Sequence, residues 1–247
     1  MGIATRMARR MVGMGMLADN PSLIGLRMHG GVLGNYEALN KPWLTGKKIE
    51  TVLDIGAHTG LFSVTINRVF PHARIHAFEP LPECYTKLVG RMKKVKEFTA
   101  HNIGLGEKSG ELPFHRNEST PSSSFLPMAC LHKDMFPHTR NAQTVSVKME
   151  TLDAVAIRLK LSKPLMIKID VQGYEDRVLT GGEATVKEAQ VLLIETSMVA
   201  LYEGQPLFKD ILQKLFGWGF SYAGALDQMA DPGTGKVLQQ DSLFVKE

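Results

Sequence analysis

Three acidic side chains stand at points where an α/β sheet would present them to a ligand. Asp54 lies in the run Thr51-Val52-Leu53-Asp54-Ile55-Gly56-Ala57-His58-Thr59-Gly60, which reads as a buried strand, a tight glycine turn and the start of a helix. Gly56 and Gly60 let a ligand approach the backbone, and a helix N-terminus favours polar or anionic groups. About twenty residues later Phe78-Glu79-Pro80 ends a second short strand, and a carboxylate there can accept from both hydroxyls of a ribose. Asp170 follows the apolar run Leu165-Met166-Ile167-Lys168-Ile169 and precedes Val171-Gln172-Gly173-Tyr174-Glu175. That places Asp170 at the carboxyl edge of the sheet, where open α/β folds bind ligands. The plainer alternative is that Asp54 and Glu79 serve only a turn, and that Asp170 and Glu175 only cap a helix.

The spacing of the turn bears on the nucleoside. A dinucleotide site uses G-x-G-x-x-G, whose glycines admit a pyrophosphate. Here His58 occupies the middle position, which suits a ligand with no pyrophosphate. S-adenosylmethionine is such a ligand, and its ribose would still call on Glu79. A nicotinamide dehydrogenase and a non-catalytic nucleoside-binding module stay open as alternatives. Gly233-Thr234-Gly235-Lys236 resembles part of a P-loop, but Ala230 and Val237 replace its leading glycine and its hydroxyl residue. No G-x-S-x-G esterase elbow occurs. The histidines indicate no metal site, and a carboxylate site for a divalent cation stays open.

The elements that must position these residues follow from the apolar pattern. Strands are expected at Thr51–Ile55, Arg74–Glu79, Phe98–Ile103, Leu165–Ile169, Val191–Glu195, Phe220–Ala223 and Ser242–Lys246. The first five are short, apolar and rarely alternate, as in strands covered on both faces of a parallel sheet. Helical patterns lie between them at Leu61–Phe70, Pro82–Lys93, Glu175–Ala189 and Pro206–Phe216. That alternation means βαβ units and a doubly wound sheet. The last two strands are joined through Asp231-Pro232-Gly233 with no helix, too short a link for a parallel crossover. The final strand is therefore expected to run antiparallel. Residues 104–150 interrupt the alternation with a Ser/Pro/Gly-rich stretch holding two short strand patterns, Gly110–Arg116 and Val145–Met149. A long insertion of this kind is expected to cover the substrate side.

Charge is unevenly placed. Residues 1–48 carry seven basic and two acidic side chains, so the net +4 of the chain belongs to this extension and the remainder sums to −1. A nucleic-acid-binding face would need a basic stripe on the folded body. The one local run, Lys87 to Lys96, reads as the solvated face of a helix. The extension is expected to be a cap or a partner contact. Within it, Met7–Leu17 has the spacing of an amphipathic helix. No run of 18 apolar residues suggests a membrane span, no secretory signal is evident, and Cys84 and Cys130 show no paired spacing. The expectation is a cytoplasmic protein.

Taken in order, several motifs resemble the FkbM family of S-adenosylmethionine-dependent methyltransferases. They are Val52–Gly60, Phe78-Glu79-Pro80, Asn102-Ile103-Gly104-Leu105-Gly106, Glu150-Thr151-Leu152-Asp153, Lys168–Glu175 and Asp241-Ser242-Leu243-Phe244. The family has Asn where this chain has His58, and residues 1–48 lie largely outside the resemblance. It implies an α/β fold with a seven-stranded Rossmann-like methyltransferase sheet, mostly parallel with an antiparallel last strand, over residues 49–247. It also implies methylation of a hydroxyl on a sugar or natural-product-like small molecule. On that basis Asp54, Gly56, His58, Gly60, Glu79, Pro80, Asn102 and Asp170 are the expected cofactor-binding residues. Asp54 would face the methionine end, Glu79 the ribose and Asn102 the adenine edge. Asp170 or Glu175 would act as base, with His58 behind them. No metal ligand is expected.

Overall fold

The computed structural model describes residues 14–136, 139 and 141–247. Its centre is a seven-stranded sheet in the order β3-β2-β1-β7-β8-β10-β9. The strands are β1 Thr51–Ile55, β2 Arg74–Phe78, β3 Phe98–His101, β7 Leu165–Ile169, β8 Val191–Ser197, β9 Ser221–Ala230 and β10 Val237–Val245. β1 pairs in parallel with both β2 and β7, while β10 runs antiparallel between β8 and β9. The antiparallel last strand thus matches the short Asp231–Gly233 link. β9 runs seven residues beyond the expected Ala223, and β10 begins five residues before the expected Ser242.

The lack of alternation in β1 and β7 has a direct cause. Leu53, Ile55, Leu165, Ile167 and Ile169 belong to the core on one face, and Val52 and Met166 to the core on the other. Every residue of both strands is buried. Burying such apolar side chains contributes about 1.5–3 kcal/mol each.

The helices that cover the faces are α1 Leu23–Met28, α2 Leu33–Leu39, α3 Pro42–Thr45, α4 Leu61–Val69, α5 Pro82–Met92, α6 Cys130–Met135, α7 Leu152–Leu159, α8 Glu175–Gly181, α9 Glu183–Lys187 and α10 Phe208–Gly217. Leu39 and Leu44 of the first 48 residues enter the core beside Val52 and Ile66. Leu23, Leu26 and Leu33 form a satellite cluster against Val64. The amphipathic pattern over Met7–Leu17 falls mostly outside the described residues; residues 14–19 are helical.

One expected helix, Glu175–Ala189, is two. It breaks at Gly181-Gly182 because the chain passes close to the start of the insertion there. A Cβ on Gly181 would lie 1.9 Å from the Gly106 carbonyl oxygen. The insertion forms its own small sheet, β4-β6-β5, from Gly104–Leu105, Ala142–Glu150 and Gly110–Asn117. β5 and β6 pair antiparallel from Gly110↔Met149 to Asn117↔Ala142, longer than the two short strands expected. Phe114 and Val147 of this sheet bury against Leu81 and Cys84.

Candidate active site

The glycine turn after β1 is shaped by the strand beside it. Gly56 has φ 74°, and a Cβ there would lie 1.8 Å from the Asp170 carbonyl oxygen. The ends of β1 and β7 therefore converge as only glycine allows. Two non-glycine residues on the same rim also take positive φ, His58 at 49° and Gln172 at 55°. Such conformations cost about 1–3 kcal/mol each and cluster at functional sites. The His58 ring reaches the insertion, where its Nε2 lies 2.7 Å from Thr120 Oγ1. Burial lowers the His58 pKa below the usual imidazole range, so its ring is neutral at pH 7.

Glu79 sits just past the end of β2 and is 5% exposed. Its Oε2 accepts from the His58 N–H at 2.8 Å and its Oε1 from the Leu81 N–H at 2.9 Å. Burial raises its pKa to about 7 against the pull of those two N–H groups. Each carboxylate oxygen keeps capacity for a further donor.

Asp54 is fully buried behind the turn. Its Oδ2 accepts from Ser63 Oγ at 2.5 Å, and its Oδ1 lies 3.4 Å from Lys168 Nζ without a hydrogen bond. Lys168 also donates to the Gly56 carbonyl at 2.8 Å and lies 3.3 Å from Asp170 Oδ2. Burial disfavours the ammonium, but Asp170, Asp54 and Asp241 outweigh it and hold the Lys168 pKa above the usual range. One buried cation thus ties the ends of β1 and β7 together.

These strand ends open into a cavity of about 270 Å³. Gly56, His58, Glu79, Pro80 and Asp170 line it, as do Lys168, Gln172, Glu195 and Asp241. The insertion closes one side with Thr120, Pro121, Ser123 and Phe125.

Four expected site residues are not on its wall. Asp54 lies behind the turn, and Gly60 is the N-cap residue just before α4. Asn102 donates to the Glu79 and Pro80 carbonyls at 2.8 and 3.0 Å, bracing the end of β2. Glu175 accepts from the Val171 and Gly173 N–H groups at 3.0 and 3.1 Å, bracing the turn after β7. Burial raises its pKa to about 7.

Two carboxyl groups on the wall, Glu195 and Asp241, were not among the expected site residues, although Asp241 opens the last of the family-like motifs. They are register partners on β8 and β10. Burial raises the Glu195 pKa well above the usual range and that of Asp241 to about 7, with Asp170 adding to both. The available signal was weak: Glu195 ends the apolar run of β8, as Glu79 follows that of β2. His72 and His76 are four residues apart but straddle the start of β2, not one helix face. Among the described residues no group of three His, Cys, Asp or Glu side chains is placed to hold a metal ion.

The glycine turn, the buried acid one strand over and the 3-2-1-7-8-10-9 strand order fit a nucleoside cofactor without pyrophosphate. The methyltransferase FkbM domain model matches residues 54–222, more than half of the chain. The chain belongs to the FkbM methyltransferase family. It is an S-adenosylmethionine-dependent methyltransferase.

Relatives agree with the family assignment at long distance. The 2-O-methyltransferase NoeI of Sinorhizobium fredii is 25% identical over 178 residues, covering 70% of this chain and 73% of that protein. The 31-O-demethyl-FK506 methyltransferase FkbM of Streptomyces tacrolimicus is 24% identical over 203 residues, covering 73% and 76%. The crystal structure of methyltransferase FkbM from Methylobacillus flagellatus shares the fold, with a TM-score of 0.51 and 15% identity. That likeness covers 80% of this chain and 44% of the other. No described helix is long and apolar enough to cross a membrane.

Proposed function

We propose that this FkbM methyltransferase transfers its methyl group to a hydroxyl oxygen of a sugar or a natural-product-like small molecule. The observation that carries this reading is the division of one cavity into two chemistries. At one end stand the glycine turn and Glu79, suited to a nucleoside. Further along the strand order stand Asp170 after β7, Glu195 on β8 and Asp241 on β10, suited to holding and deprotonating a hydroxyl. The 2-O- and 31-O-directed activities named for the two relatives support an oxygen acceptor.

In this reading Gly56 and His58 pass beside the methionine portion, and Glu79 accepts from the ribose. Asp54 acts from behind through Lys168, and Asn102 and Gly60 keep the rims in place. S-adenosylmethionine supplies the methyl as a positively charged sulfonium. The protein's part is to hold the acceptor oxygen in line with the methyl carbon and to accept its proton. Alignment of this kind can supply up to about 7–11 kcal/mol of the barrier, and a positioned base roughly a hundred- to ten-thousand-fold in rate. Asp170 lines the acceptor side of the cavity, with its Oδ2 3.3 Å from Lys168 Nζ. Glu175 serves the turn rather than the reaction. Residues 14–48 act as a cap on the methyltransferase domain, the insertion 104–150 shields the acceptor, and the two free cysteines fit the cytoplasm.

The test is transfer of labelled methyl from S-adenosylmethionine to a panel of methyl glycosides, hydroxylated polyketides, amines and thiols. Labelled methyl ethers are the expected products. Transfer to nitrogen or sulfur acceptors with none to hydroxyls would refute the oxygen assignment.

A further inference from the structure

The cavity holds more acidic groups than cofactor binding requires, and their hydrogen bonds differ in a way that sorts them. Asp170 is fully committed. Its Oδ1 accepts from Gln172 Nε2 at 2.9 Å, and its Oδ2 faces Lys168 at 3.3 Å. Glu195 is half committed. Its Oε2 accepts from the same Gln172 Nε2 at 2.8 Å, and its Oε1 makes no hydrogen bond among the described residues. No cation lies within ion-pair distance of it among those residues.

Gln172 is held on every side. Its Oε1 accepts from the Tyr202 hydroxyl at 3.0 Å, and its backbone carbonyl accepts from Ser124 Oγ at 2.6 Å. With two carboxylate oxygens on one side of the amide, its nitrogen must face them. A residue at φ 55° is thus fixed so that its amide aims one oxygen of Glu195.

Strand order sets the distances. Glu79, the ribose acid of the reading above, follows β2, and neighbouring strands are about 4.8 Å apart. A cofactor whose ribose is held by Glu79 would reach along the strand order, towards the ends of β7 and β8. Asp170 and Glu195 are the carboxylates at those positions.

We infer that Glu195 is the general base of the methyl transfer and that Gln172 is the residue that positions it. The inference rests on the oxygen-transfer reading. The acceptor O–H donates to Glu195 Oε1. As the oxygen forms its bond to the methyl carbon, the carbon–sulfur bond breaks and its electron pair stays on sulfur. The proton passes to Glu195, leaving a methyl ether, a neutral thioether and a protonated carboxyl group.

The groups facing Glu195 explain its proton affinity. Lys168 comes from β7, Asp170 from the turn after it, Glu175 from α8, Asp241 from β10 and Tyr202 from the loop after β8. Only Lys168 is cationic, and its close contacts are Asp54, Asp170 and the carbonyls of Ile55 and Gly56. Burial and the like charges of Asp170, Glu175 and Asp241 therefore make Glu195 a stronger base than an ordinary carboxylate.

The test needs no acceptor. In sinefungin an amine-bearing carbon replaces the methylated sulfur, so the amine sits where the methyl would be. The assay is calorimetric titration of the full chain with sinefungin and with S-adenosylhomocysteine. The unaltered protein should bind sinefungin about tenfold or more tightly, the effect of one charge-assisted hydrogen bond. Glu195→Gln should remove that preference and leave S-adenosylhomocysteine affinity unchanged, which also shows the variant to be folded. In the unaltered protein the preference should grow as pH rises and Glu195 loses its proton, a readout that needs no variant. A preference that survives Glu195→Gln, disappears only in Asp170→Asn or is flat with pH would overturn the assignment. If neither ligand binds the unaltered protein, the cofactor placement is what has failed, and the base assignment falls with it.

Discussion

Replacing Glu79 by Gln probes the cofactor end of the cavity with the least change of shape. The carboxylate accepts from two backbone N–H groups, His58 at 2.8 Å and Leu81 at 2.9 Å. A glutamine amide has one acceptor oxygen, so one of those N–H groups would face an NH2 group. Leaving a buried donor unsatisfied costs about 1–3 kcal/mol. An opposing effect comes from charge. Burial raises the Glu79 pKa to about 7, so at pH 8 the folded protein holds an ionised carboxylate it would rather protonate, and Gln removes that cost. The two effects are similar in size, and the melting temperature at pH 8 should change little. Cofactor affinity has no such compensation. A ribose hydroxyl loses a hydrogen bond to a charged acceptor, worth about 1.5–3 kcal/mol, which is roughly a ten- to hundredfold loss. The assay is calorimetric titration with S-adenosylhomocysteine at pH 8, beside a thermal melt. Affinity within twofold of the unaltered protein, with an unchanged melt, would refute the ribose role.

Further outcomes follow from the same geometry. Gly56→Ala should abolish cofactor binding and lower the melting temperature, because the new Cβ would lie 1.8 Å from the Asp170 carbonyl oxygen at φ 74°; unchanged binding and melting would show that β1 and β7 do not converge there. Cofactor affinity should fall as pH drops below 7, by up to about tenfold per unit, because the ribose needs ionised Glu79; a flat profile from pH 8 to 5 would contradict this. Stability of the ligand-free protein should run the other way. Glu79 and Glu175 have folded pKa values raised from 4.5 to about 7, so the folded state holds the extra protons. Their stabilisation is present below about pH 4.5 and is lost as pH rises through 7. A lower melting temperature at pH 8 than at pH 6 is the check.

Sequence pattern revealed the parts of the fold that local chemistry controls. β1 and β7 were visible as unbroken apolar runs because both of their faces are buried. The glycine turn was visible because the approach of Asp170 leaves room for nothing larger. The antiparallel β10 was visible from the missing helix before it. What the pattern hid depends on contacts distant in sequence. Glu195 and Asp241 face each other only because β10 inserts between β8 and β9. His58 meets Thr120 across 62 residues. Asn102 and Glu175 looked like ligand-facing polar residues at strand ends. Side-chain direction decided otherwise: Asn102 donates across to the Glu79 and Pro80 carbonyls after β2, and Glu175 turns back onto the N–H groups of its own turn. The break at Gly181-Gly182 carried a signal in its paired glycines, but its cause, the passage of Gly106, lies in the insertion.

Calorimetric titration of the purified chain with S-adenosylmethionine and S-adenosylhomocysteine, with NAD as control, tests the central claim most directly. The site built on Gly56, Glu79 and Asp170 predicts micromolar binding of the two sulfur ligands and none of NAD. Binding of NAD in their place, or of no ligand at all, would contradict the assignment of this cavity.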